Sequence, residues 1–174
     1  MRVVTRRWAL STYDGAKLDR GRSRAVEIAW IAVSRLMFER TFTPMWLRRV
    51  ILRLFGASVG VGTVIKPHVL IKFPWKLQID RDAWIGEHVW IDNLAQVTIG
   101  PDSCVSQGVY LCTGNHDYHS TRFDLTAEPI VIGRNCWVGA FSLVGPGVDL
   151  PEGTVVSMGE RVTASSQSGS TRRP

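Results

Sequence analysis

Four histidines stand in this 174-residue chain, and two of them, His116 and His119, fall on a polar stretch that opens Thr113-Gly114-Asn115-His116-Asp117 and breaks an otherwise regular pattern. Rigid scaffolds present working side chains on such loops. An imidazole with an ordinary pKa of about 6.5 can take a proton from a hydroxyl and return it within one reaction. His116 is therefore the candidate general base. Asp117 or a nearby backbone carbonyl would fix its tautomer, and residue types do not choose between them. His116, Asp117 and His119 are also zinc-ligand types, which leaves a metal site as a second use of the loop. His68 and His88 lie inside regular repeats beside inward positions and read as outward structural residues. Cys104, Cys112 and Cys136 include no C-x-x-C pair, so neither a zinc ribbon nor a thioredoxin-like centre is available, and a reducing cytoplasm is the expected setting.

The elements that position the loop are written in a period of six. Every sixth residue from Phe55 gives Val61, Pro67, Phe73, Ile79, Ile85 and Ile91, and the positions four later give Val59, Ile65, Ile71, Leu77, Ala83, Val89 and Ala95. Two extra residues then shift the phase to Ile99, Val105 and Leu111; after the loop it resumes as Ile132, Val138, Val144, Leu150, Val156 and Val162. A β-sandwich would alternate with a period of two, so this pattern predicts a parallel β-helix: short strands bend every six residues, three hexads close one coil, and about five stacked coils bury one apolar column. Both series are expected to point inward. Glycine repeatedly follows the leading aliphatic residue, as in Ile85-Gly86 and Val138-Gly139, and is expected to serve the bend where φ turns positive.

Before the hexads the chain reads as helix. Residues 1 to 55 hold 12 basic and 4 acidic side chains, net +8, whereas the remainder holds 9 basic and 11 acidic, net −2. Apolar residues from Arg24 to Phe42 cover more than half a helical circumference, and a second, amphipathic helix follows Thr43-Pro44, with Met45, Trp46, Val50, Ile51, Leu54 and Phe55 set against Arg48, Arg49 and Arg53. Three uses fit it: a helix laid on its own domain, a contact with an anionic membrane surface, or a nucleic-acid patch, the last without any accompanying motif. No apolar run reaches the roughly 18 residues of a membrane span, and the opening residues lack the apolar block of a signal peptide. Hydrophobic residues at 45% and charged residues at 21% exclude an intrinsically disordered chain. The expected division is a helical segment over 1–55, a β-helix domain over 56–163 with a protruding loop at 112–131, and a disordered polar tail at 164–174.

The hexads, the Thr-Gly-Asn-His-Asp loop and the Ile132-to-Ala140 restart resemble the hexapeptide-repeat acyltransferases. Within them, Pro74-Trp75-Lys76-Leu77, Trp84-Ile85-Gly86-Glu87, Trp90-Ile91-Asp92-Asn93-Leu94 and Leu111-Cys112-Thr113-Gly114-Asn115-His116-Asp117 are similar to the colanic acid biosynthesis acetyltransferases, over residues 10 to 163.

That resemblance implies a mainly β fold, a left-handed parallel β-helix, a homotrimer with active sites between neighbouring β-helices, and acetyl transfer from acetyl-CoA to a sugar hydroxyl in exopolysaccharide assembly. No metal and no nucleic acid are implied. The family's catalytic histidine carries over to His116, its aromatic beside the pantetheine arm to Trp137, and its close backbone approach to Gly139. The backbone N–H of Ala140 matches the donor toward the thioester oxygen. Asp92 and Asn93 resemble acceptor-side polar residues, with Asp117 beside the base. Two departures stand out: Met158 replaces a small alanine on the pantetheine wall, and the polar tail with Arg172 and Arg173 replaces the usual lysine and prolines. A trimeric scaffold that has lost catalysis, or a metal-dependent lyase, are the other functions this fold allows. The acceptor is either a free nucleotide sugar or a lipid-linked oligosaccharide, the second placing the protein at the inner face of the membrane.

Overall fold

The computed structural model describes residues 8–15, 18–38 and 40–167. From Ser58 the chain winds as a three-sided parallel β-helix. The first face stacks Ser58–Val59, Leu77–Ile79, Val97–Ile99, Ile130–Ile132 and Asp149–Leu150. The second stacks Val64–Ile65, Trp84–Ile85, Cys104–Val105, Trp137–Val138 and Val155–Val156. The third stacks Leu70–Ile71, Trp90–Asp92, Tyr110–Cys112, Leu143–Val144 and Arg161–Val162. Five strands on each face make five coils.

The period of six is right, but the single register expected up to Ala95 is not. Inward side chains come in pairs two apart, such as Val69 with Ile71, Leu77 with Ile79, and Val89 with Ile91, all buried. Val61, expected inside, is 81% exposed. The reason is a two-residue insertion at the corner after Ile71, where Pro74–Lys76 form a 3-10 turn. A shift of two keeps the series Val59, Ile65, Ile71, Leu77, Ala83 and Val89 inward throughout, as the second of each pair before the turn and the first after it, which hides the insertion from a count of sixes. The same insertion recurs after Ile91, so the first two coils take 20 residues each, as the pairing of Val59 with Ile79 and of Ile79 with Ile99 shows.

Of the glycines that follow an aliphatic residue, Gly62 has the expected positive φ, at 76°, but Gly86 and Gly139 have a different cause. Positive φ belongs to the third residue after the inward aliphatic: His68, Asp82, His88, Asp102, Asn135 and Phe141 all adopt it, and Gly86 and Gly139 do not. A Cβ on Gly139 would stand 2.6 Å from the backbone nitrogen of Met158, in the next coil. Glycine is required there because the coils touch. His68 and His88 lie one above the other at this left-handed corner, ring centroids 5.0 Å apart.

Two helices close the N-terminal end. Helix α1, Arg24–Met37, starts at the Ser23 cap and ends earlier than the apolar run suggested, where Phe38 enters the core and its carbonyl accepts from His68 N–H at 2.8 Å. Helix α2, Met45–Leu54, follows Pro44. Its arginines turn toward the protein: Arg48 donates to the Ile65 carbonyl at 3.0 Å, Arg49 to that of Thr63 at 3.0 Å, and Arg53 Nε to that of Val59 at 2.9 Å. Trp30 of α1 donates to the Ile71 carbonyl at 2.8 Å. These four carbonyls edge the first coil, which has no coil beneath it, and backbone acceptors left bare there would lack partners. The basic side of α2 is therefore a cap on the coil edge and does not form a free cationic surface. At the far end Ala164–Gln167 form one helical turn within the polar tail, and 168–174, with Arg172 and Arg173, lie outside the described residues.

Candidate active site

The loop expected at 112–131 is largely a hairpin. After Tyr110–Cys112 the chain leaves the corner between the third and first faces, and Gly114–His116 pairs antiparallel with Leu125–Ala127. His116 stacks on Phe123, centroids 4.2 Å apart at 8°. Its Nδ1 lies 2.8 Å from the Phe123 carbonyl oxygen. A carbonyl only accepts, so Nδ1 carries the proton and Nε2 keeps its lone pair. The backbone, not Asp117, sets the tautomer. Asp117 forms a local turn, its carboxylate accepting from His119 N–H at 2.8 Å. No group of three His, Cys, Asp or Glu side chains is placed to hold an ion among the described residues.

Residues 8–15, far away in sequence, lie on this hairpin. Ala9 N–H donates to the Thr121 carbonyl at 3.0 Å, Trp8 Nε1 to that of Tyr118 at 3.2 Å, and the Tyr13 ring tilts against His116 at 5.7 Å. Helix and coil thus separate near residue 55, but the N-terminal segment forms part of the site. A cleft of about 560 Å³ results, lined by Tyr13, Arg20, Lys72, Asp92, Tyr110 and His116 among others. This volume suits a small ligand.

Asp92 lines the same cleft as His116. Lys72 Nζ stands 2.9 Å from Oδ1, and Tyr110 Oη donates to Oδ2 at 3.1 Å. Burial, then Cys112 and Asp92, push the Tyr110 phenol upward, which keeps it a neutral donor. Oδ1 is buried, and the lysine meets it off the hydrogen-bonding direction, so the contact is an ion pair without a hydrogen bond. Lys72 and Tyr110 were missed by sequence reasoning. The 20-residue coil would have found the lysine, since Asp92 pairs with Cys112 in register and Lys72 follows Ile71, the partner of Ile91.

Asn93 must be reassigned. It is wholly buried; its Oδ1 accepts from Phe73 N–H at 2.9 Å and its Nδ2 donates to the carbonyls of Phe73 at 2.7 Å and Lys76 at 2.9 Å. This amide holds the inserted corner together and does not reach the cleft.

Trp137, Ala140 and Met158 gather elsewhere, along the second face and its corner with the third. Trp137 is 55% exposed and donates to Ser106 Oγ at 2.9 Å. Met158 is exposed one coil beyond Ala140, whose carbonyl accepts from Gly159 N–H at 2.9 Å. The Ala140 N–H has no partner among the described residues, so it is available as a donor. Within one chain the width of the third face separates this set from His116, which leaves from the opposite corner.

No family model matches the chain. Among curated proteins it is 43% identical over 150 residues, 84% of this chain and 81% of the relative, to "Putative colanic acid biosynthesis acetyltransferase WcaF" of Escherichia coli K12. It is 28% identical over 119 residues to the galactoside O-acetyltransferase of that organism, covering 67% of this chain and 59% of the relative. Among solved structures it is similar to the hexapeptide-repeat acetyltransferase VCA0836 of Vibrio cholerae, complexed with acetyl coenzyme A, at a TM-score of 0.75, 20% identity and coverage of 86% of this chain and 81% of that one. A galactoside acetyltransferase in complex with coenzyme A superposes at a TM-score of 0.70 with 21% identity, covering 78% and 69%. The fold shared with them is the left-handed parallel β-helix that the resemblance implied. With a relative this similar along most of both chains, and hexads that build five coils, the chain belongs to the hexapeptide-repeat acetyltransferases, in the group of WcaF.

Proposed function

We propose that the protein transfers acetyl from acetyl-CoA to a sugar hydroxyl during assembly of an exopolysaccharide of the colanic acid kind, with His116 as general base. The observation that carries this is the Nδ1 contact to the Phe123 carbonyl, which leaves Nε2 as a base on the cleft that also holds Asp92. Nε2 takes the acceptor hydroxyl proton as the oxygen attacks the thioester carbonyl carbon. The Ala140 N–H then faces the oxyanion, as donors placed at a developing charge do. Collapse breaks the carbon–sulfur bond, and the departing thiolate takes the proton back from the imidazolium.

A homotrimer goes with this reading, because one chain keeps its base and its thioester donor at opposite corners of a face. The outward residues support it. The second face presents Val64, Trp84, Cys104, Trp137 and Val155, the third presents Leu70, Trp90, Tyr110, Leu143 and, in the last coil, Arg161, and the first presents Ser58, Gln78, Thr98, Val131 and Asp149. Two mainly apolar ladders and one mainly polar one suit a subunit that meets a neighbour on each of two sides and water on the third.

The reading is tested by mass spectrometry of the exopolysaccharide from a strain lacking the protein, which should lose one acetyl group per repeat unit. An unchanged acetyl content would overturn it. In the purified enzyme, Asp92→Ala is expected to raise the acceptor KM about tenfold, the worth of one charge-assisted hydrogen bond of about 1.5 kcal/mol, while the KM for acetyl-CoA stays within twofold. Initial-rate kinetics with each substrate varied in turn separate the two.

A further inference from the structure

We propose that the outer face of α2 docks the enzyme onto an anionic lipid bilayer through its apolar side chains. Turning Arg48, Arg49 and Arg53 toward the coil edge leaves Trp46, Val50 and Leu54, at helical spacing, facing away from the protein, 59%, 39% and 80% exposed. Phe42 and Met45 extend the stripe, 82% and 44% exposed. A soluble surface seldom gathers that many large apolar groups without a use.

Position and charge identify the occupant. The stripe lies on the end cap of the β-helix, away from the second and third faces, whose apolar ladders serve neighbouring subunits. A trimer built on those faces leaves this end uncovered, and three parallel copies would present three such stripes on one side. Residues 40–79 contain no aspartate or glutamate; beyond the arginines that cap the coil edge, Arg40 and Lys66 are exposed there, and α1 adds the exposed Arg24 and Arg35. An apolar stripe with tryptophan at its centre and arginine at its rim fits the headgroup boundary of a bilayer containing acidic lipid. No helix among the described residues is long and apolar enough to cross it.

The test is flotation of the full chain with phosphatidylcholine vesicles containing roughly 30% phosphatidylglycerol, an acidic lipid that attracts surface arginines, followed by the Trp46→Ser/Leu54→Ser double variant. The wild type is expected to float with these vesicles and to stay behind with pure phosphatidylcholine. The double variant should bind at least tenfold more weakly, with unchanged melting and sedimentation. Failure of the wild type to float, or binding that survives the double substitution, overturns the proposal. So does a change in the variant's oligomeric state, which would make the stripe a contact between copies. None of these outcomes depends on acetyl transfer, so the proposal and the reaction stand or fall separately.

Discussion

Replacing His116 with alanine is expected to lower kcat/KM for acetyl transfer about 10²- to 10⁴-fold, the range a positioned general base supplies. The neutral tautomer fixed by the Phe123 carbonyl matters only for proton transfer, so the whole effect falls on the chemical step. Folding should be spared: the ring is half-buried between Phe123 and Tyr13 on a hairpin outside the coil stack, and the hairpin keeps its backbone pairing with Leu125. Thiol release from acetyl-CoA, measured beside size-exclusion chromatography of the same sample, reports both quantities. Turnover within tenfold of wild type would remove His116 from the base role.

Asn93→Ala should do the opposite, harming the fold more than the chemistry. The substitution removes three hydrogen bonds and strands the Phe73 N–H and the Lys76 carbonyl, while the Phe73 carbonyl keeps the Lys76 N–H at 2.9 Å. At about 1 kcal/mol for each, the loss is about 3 kcal/mol, or a fall of roughly 6 to 12 °C in Tm for a chain of this size. Acetyl transfer per folded molecule should remain within about threefold, since the side chain does not line the cleft. Calorimetric melting and rates measured well below the transition separate the two effects. An unchanged Tm with a raised acceptor KM would return Asn93 to the acceptor site.

The contrast between these neighbours shows what a linear reading reaches. A six-residue apolar repeat announces a β-helix because the period itself is the physics of the bend. Its phase is less visible: the turn at Pro74–Lys76 shifts the register by two residues, and two is also the spacing within each inward pair. Asp92 and Asn93 are adjacent and alike as letters, yet strand alternation sends one to the cleft and the other inward.

His116 was legible because it sits where the repeat fails. Its tautomer was not, since the deciding carbonyl lies seven residues on and arrives only when the hairpin closes. Lys72 and Tyr110 reach Asp92 through coil stacking, and Tyr13 reaches His116 across about a hundred residues with no periodic signal at all. The direction of the arginines on α2 is the clearest case of tertiary contact overruling composition. Amphipathic spacing predicted the helix, but only the bare carbonyls of the first coil decide which side faces in.

Those same carbonyls bear on solubility. The end of a β-helix is an edge like that of any sheet, and a further turn from another molecule could add to it as readily as one from the same chain. With Trp30, Arg48, Arg49 and Arg53 occupying four acceptors, the first turn offers no such template, and growth of the stack into a fibre is stopped at its N-terminal end. The helices before the repeat thus set the length of the rod as well as its surface.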